Sequence, residues 1–201
     1  RSSDLSFHGM LFGGGMGSDS GDATRATTNG DIIINYNVAN TNLTGFYGGA
    51  KVNGTVAGDI TVNVNASVRC SGTGGNIDIF GGGLGEHTST TGDVEVFINS
   101  GDLYGDVYGG SALGSVNDAD DQTTVTLTGG TIHGDLYGGG LGDNDNAAAV
   151  NGAVQVNVNG GTVTNVFGCN NVNGAPQSTV QVNINETNPN TMFVTDVYGG
   201  G

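Results

Sequence analysis

The chain has 201 residues and a mass of 20.0 kDa, and 40 of its residues are glycine. It carries 19 acidic against 4 basic side chains, a formal net charge of -15, which disfavours nucleic acid and anionic membranes because phosphate recognition needs clustered cations. The glycines do not recur every third residue, which excludes collagen; no run of about 18 apolar residues offers a membrane helix; and the 35% hydrophobic content lies in ordered alternating runs, unlike a flexible linker.

Taken in chain order, an aromatic followed by glycine recurs at seven regularly spaced anchors. The first three anchors are Leu11-Phe12-Gly13-Gly14, Phe46-Tyr47-Gly48-Gly49 and Ile79-Phe80-Gly81-Gly82. The next are Val107-Tyr108-Gly109-Gly110, Leu136-Tyr137-Gly138-Gly139, Val166-Phe167-Gly168-Cys169 and Val197-Tyr198-Gly199-Gly200. The aromatics lie 28 to 35 residues apart. Internal periods of this size are the signature of stacked repeat architectures.

Each unit has the same internal order. A loop follows the anchor. An alternating run comes next, as in Val154-Gln155-Val156-Asn157-Val158-Asn159, with counterparts at 32–36, 60–64, 94–98, 123–127 and 180–184. Aliphatics alternating with Asn, Thr or Gln predict a strand with one buried and one wet face. A turn such as Gly129-Gly130 or Gly160-Gly161 follows, then a short Thr-Ile or Thr-Val segment, then the next anchor. Ile132 to Leu136 spans four positions and Val163 to Val166 three, so a corner is expected between these pieces. Glycine and Asn interrupt every candidate helical stripe.

One such unit cannot bury its hydrophobic face alone, whereas stacked units can. The pattern predicts an all-β fold, a right-handed parallel β-helix of about six coils of 28 to 35 residues. At about 4.8 Å per strand the stack rises on the order of 30 Å. Glycine at the corners is expected to supply positive φ. Asn63, Asn157 and Asn183 are expected to stack in one row, and Asn65, Asn99, Asn159 and Asn185 in another. Residues 1–201 read as one β-helix domain, a fragment of a longer repeat array, with 1–10 as a candidate N-terminal cap. A removed signal peptide would explain the N-terminus equally well.

The repeated aliphatic-Tyr-Gly-Gly anchor, with its Val-x-Val strands, resembles the glycine-rich β-helical repeat regions of large bacterial surface proteins, the adhesins and autotransporter passenger domains. The likeness covers residues 10–201. It implies secretion to the bacterial cell surface and a non-catalytic role as an extended scaffold or binding surface. The partners it implies are a host or cell-surface glycan or protein and the adjacent repeats of the full-length chain, without nucleic acid or membrane insertion.

Two cysteines make no disulfide framework. Cys70 and Cys169 fall about three coils, roughly 14 Å, apart, beyond the reach of a disulfide, and are expected to be free thiols.

Three constellations are candidates for chemistry. The first is a pair of acidic loops, with Asp118, Asp120 and Asp121 in one and Asp143 and Asp145 in the other. Both follow an anchor, so they are expected together on one edge, with Asp19 and Asp22 in a similar position. Clustered carboxylates supply the hard oxygens that calcium takes, although the spacing is not an EF-hand. No cofactor is otherwise expected. The second is the aromatic column, in which Tyr47, Tyr108, Tyr137 and Tyr198 are candidate platforms for sugar rings; the alternation with Phe favours simple packing. The third is the alternative of a polysaccharide-degrading lyase or glycosidase, with Asp102, Asp106 and Asp135 near successive corners beside His133. The scattered histidines offer no metal triad.

Overall fold

The structure, a computed structural model, describes residues 9–19, 26–38, 43–68, 75–187 and 191–200. The described residues form no helix, and every strand pairing is parallel. Three sheets run the length of a β-solenoid of about six turns.

The alternating sheet contains Ile32–Tyr36, Ile60–Val64, Val94–Ile98, Gln122–Leu127, Ala153–Val158 and Val180–Ile184. Its register matches the alignment read from the sequence. Val62, Val96, Val125, Val156 and Val182 form one row, and the first four are fully buried. A period of two puts these aliphatics inward and Asn, Thr and Gln outward. Burying each valine removes about 1.5–3 kcal/mol of exposed apolar surface from water.

The anchor sheet has nine strands and pairs all seven anchors in register, from Phe12 through Tyr47, Phe80, Tyr108, Tyr137 and Phe167 to Tyr198. The short segments before the anchors lie in this same sheet. Asp102–Leu103 and Thr131–Ile132 pair on toward Gly161–Phe167, which runs unbroken through segment and anchor. The expected corner is therefore a one-residue irregularity inside a sheet. The extra position falls between Ile132 and Leu136, which pair with Val163 and Val166 on either side of it.

A third sheet lies where the repeat reads as loop. It contains Ala26–Thr28, Lys51–Val56, Leu84–Thr90, Ser115–Val116 and Ala149–Val150. The last two strands are only two residues long, and none of the five shows a long alternation. Their pairing comes from stacking on neighbours, not from local pattern.

The anchor glycines serve close approach and not positive φ. The anchor positions 13, 48, 81, 109, 138 and 168 are absent from the positive-φ glycines. A β-carbon on Gly109 would fall on the carbonyl oxygen of Gly138 and lie 2.6 Å from Thr123 Cγ2. Positive φ is supplied as expected by the turn glycines Gly101, Gly130 and Gly161, at 102°, 84° and 77°, and at one corner also by the non-glycine residues Val52, Leu113 and Val172, at 65°, 70° and 63°. A β-branched side chain in that region is strained, and the packing around it must hold it there.

Candidate functional site

The anchor strand buries two residues on opposite sides. Leu136 and its equivalents point into the solenoid core, while the following aromatic packs outside it in a second, smaller core with Ala112, Leu84 and Leu141. The seven rings form one continuous stack. Neighbouring centroids are 4.7 to 5.2 Å apart and interplanar angles are 4° to 8°. In-register parallel pairing sets this geometry, because each ring inherits the strand spacing.

Within the stack, three of the four sequence candidates have a ring on each face. Tyr47 is sandwiched by Phe12 and Phe80, Tyr108 by Phe80 and Tyr137, and Tyr137 by Tyr108 and Phe167. A sugar stacks on a ring face, and these faces are covered by neighbouring rings. Tyr198 stacks on Phe167 and is 48% exposed. The column works as packing through its interior.

A column of carboxylates runs beside the central rings, two residues before Phe80, Tyr108 and Tyr137. Asp78 Oδ1 accepts the backbone N–H of Asp106 at 2.8 Å, and Asp106 Oδ1 accepts that of Asp135 at 2.8 Å. Asn165 then donates its amide to Asp135 Oδ1 at 2.8 Å. The Tyr108 phenol donates to Asp106 Oδ2 at 3.0 Å and accepts from the Asn171 amide at 2.9 Å. Burial, with the Asp106 charge adding to it, raises the pKa of Asp78 against the bond from the Asp106 N–H. Burial, with nearby Asp135 and Asp106, pushes the Tyr137 phenol up to about 12. A second column of the same kind occupies another corner, where Asp31 Oδ1 accepts from Asp59 N–H at 3.0 Å and Asp59 Oδ1 from Asp93 N–H at 2.9 Å. The sequence reading puts Asp106 and Asp135 near one another on adjacent coils, and the contact between them is from the Asp135 backbone N–H to the Asp106 carboxylate. Both oxygens of Asp106 are held by hydrogen bonds from the protein.

Asp102 and His133 do come together on the outer face of the anchor sheet. His133 Nε2 is 3.8 Å from Asp102 Oδ1, and its ring stacks on Tyr104 with centroids 4.4 Å apart. Both side chains are about half exposed, where such a contact contributes little.

The two acidic loops do not share an edge. Asp118 to Asp121 lie between the third sheet and the alternating sheet, opposite Asn151, whose amide donates to Asn117 O at 3.1 Å. Asp143 and Asp145 lie one corner earlier in their coil, between the anchor and the third sheet. The two insertions have similar composition but different places in the coil, and the anchors alone do not distinguish these. The Asp143 carboxylate turns inward on its own loop, accepting Asp145 N–H at 2.9 Å and Asn146 N–H at 2.6 Å. Those bonds lower its pKa. Among the described residues no three His, Cys, Asp or Glu side chains are grouped to hold a metal ion. Asp22 and Cys70 lie outside the described residues. Cys169 is a free thiol, its pKa raised by partial burial.

The feature that sequence reasoning registered only in part is the amide face of the alternating sheet. Asn63 Nδ2 donates to Asn35 Oδ1 at 3.0 Å, and Asn183 Nδ2 to Asn157 Oδ1 at 2.8 Å. The expected row of Asn63, Asn157 and Asn183 is interrupted between its members by Phe97 and Thr126. In the second row Asn99 donates to Asn65 at 3.0 Å, and Thr128 continues it by donating to Asn99 at 3.0 Å. Asn159 and Asn185 occupy the corresponding corner through their backbone bonds to Leu127 and Val158.

No protein-family model, no curated protein and no solved structure matches this chain.

Proposed function

We propose that this chain is a non-catalytic, extracellular repeat domain of an adhesin-like bacterial surface protein, serving as a stiff scaffold that displays a binding surface to a host or cell-surface glycan or protein. The observation that carries the reading is the unbroken ring stack from Phe12 to Tyr198. Every coil repeats the same bonds to its neighbours, so stiffness along the axis is built in, and outward positions vary without disturbing the core. The resemblance of the anchors to bacterial surface repeats supports the extracellular setting. An acidic composition with few cations suits a surface that stays soluble and does not adhere to polyanions.

The test pairs binding with turnover. The chain is applied to an array of host glycans and extracellular proteins, and in parallel incubated with plant, host and bacterial polysaccharides. Saturable binding without new reducing ends or unsaturated products is expected. New products that disappear on Asp106→Asn or Asp135→Asn would replace this reading with the polysaccharide-degrading one.

A further inference from the structure

We infer that the outward face of the alternating sheet, centred on Phe97, binds an extended, uncharged polysaccharide chain. This rests on the proposed role as a binding surface, and it names the site and the class of ligand.

The first ground is charge. The chain carries a net charge of -15, yet within the strands of this sheet Glu95 is the one charged outward residue, and the Asp31, Asp59 and Asp93 carboxylates that border it at the strand starts are engaged by backbone N–H groups of the next coil. Thr61, Asn63, Thr124, Gln155, Asn157 and Gln181 fill the other central positions with hydroxyls and amides. A face kept nearly neutral on a strongly acidic protein complements a neutral polar ligand, where an anionic one is repelled by the surroundings.

The second ground is hydrogen-bonding capacity. An amide side chain offers two N–H donors and two acceptor lone pairs. Asn63 uses one N–H on Asn35, and Asn183 uses one on Asn157. Gln155 and Gln181 brace this row laterally, donating to Asn157 and Asn183 at 3.1 and 2.9 Å. The ladder thus fixes the rotamers and still leaves donors and acceptors facing solvent. Such ordering before binding lowers the entropy that binding must overcome. The groups recur at the strand spacing of about 4.8 Å, a linear array suited to a linear, hydroxyl-bearing chain.

The third ground is Phe97. It is half-buried on the outward face and occupies the register position of Asn63 and Thr126. An aromatic ring that breaks a polar row supplies an apolar plane for the C–H face of a sugar, with Glu95 two residues away to accept from hydroxyls. Unlike the anchor rings, Phe97 takes part in none of the ring stacks described above.

The experiment is affinity electrophoresis of the chain in gels containing hydroxyethyl cellulose, xyloglucan or polygalacturonate. Retardation is expected in a neutral gel and not in polygalacturonate. Phe97→Ala should weaken it at least about fivefold. Thr162→Ala, on the anchor sheet, is the control and should change nothing. Circular dichroism of each variant separates lost binding from lost fold, and Phe97→Leu provides a milder second variant. Parent-like retardation of a folded Phe97→Ala protein overturns the site. So does retardation confined to polygalacturonate, or none in either neutral gel. Binding on the glycan or protein array that survives Phe97→Ala leaves the display role standing and this site refuted.

Discussion

The backbone N–H of Asp135 donates to the carboxylate of Asp106, one coil earlier, at 2.8 Å. The same carboxylate takes the Tyr108 phenol on its other oxygen at 3.0 Å. One side chain thus joins two coils and orients a ring of the aromatic stack. Replacing Asp106 with Ala strands the Asp135 N–H in a half-buried setting, a loss of about 1–3 kcal/mol. Asn retains an acceptor and removes one of two neighbouring negative charges, so Asp106→Asn should cost much less. Urea unfolding of both variants checks this. Equal midpoints for Asp106→Ala and the parent would show that the carboxylate column adds nothing.

The ring stack should tolerate loss of a hydroxyl and resist loss of a ring. Phe stands at 12, 80 and 167 where Tyr stands at the other anchors. Tyr137→Phe is therefore expected within about 0.5 kcal/mol of the parent, as for substitutions away from a strong contact. Tyr108→Ala removes a fully buried ring and should cost about 3–5 kcal/mol. Thermal melts of the two variants separate stacking from hydroxyl chemistry.

Gly109→Ala tests whether anchor glycines exist for close approach. Its β-carbon would collide with the Gly138 carbonyl of the next coil, while one on Gly30 would meet nothing within 4 Å. Overpacking costs about 1–3 kcal/mol, more where backbone must move. Gly109→Ala should lose stability by at least that much and Gly30→Ala should be close to neutral. If the two melt alike, the coils are looser than the ladder requires.

Two carboxylates should respond to pH with opposite sign. The pKa of Asp78 is raised by burial and by Asp106. Its protonated form favours the fold, so that contribution is full below the ordinary carboxylate pKa and is lost as pH rises through the raised value. The pKa of Asp143 is lowered by the N–H groups of Asn146 and Asp145. Its contribution is present above the ordinary carboxylate pKa and is lost as pH falls through the lowered one. Asp78→Asn should remove the decline in stability that begins as pH rises above the ordinary carboxylate range, and Asp143→Asn should not. Unfolding midpoints measured across pH 3 to 8 decide it.

The acidic loops give a metal prediction. They lie at different corners, and the Asp143 carboxylate already accepts from its own loop. Millimolar calcium and an ionic-strength-matched sodium control should therefore give the same melting curve. A calcium-specific rise abolished by Asp118→Asn, Asp120→Asn and Asp121→Asn together would assign an ion to that loop alone.

Spacing along the chain was enough for the architecture, because in a solenoid each residue pairs with its counterpart one period away. Ile60, Val94 and Val154 could be aligned by alternation, and Phe80 and Tyr108 by the glycines behind them; strand pairing then left little freedom. Where the period carried no pattern, tertiary structure decided. Ser115–Val116 is too short to alternate, and it became a strand only because Ser89 and Ala149 lie on either side of it. The acidic loops could not be placed, because an insertion of several residues looks the same in sequence before or after that short strand. Glycine at the turns was legible from the positive φ that Gly130 and Gly161 adopt, whereas the particular partner of an anchor glycine, the Gly138 carbonyl that faces Gly109, follows from how closely two backbones approach. The covering of the Tyr108 and Tyr137 ring faces likewise belongs to the stack, since a ring shows its exposed face only when its neighbours are in place.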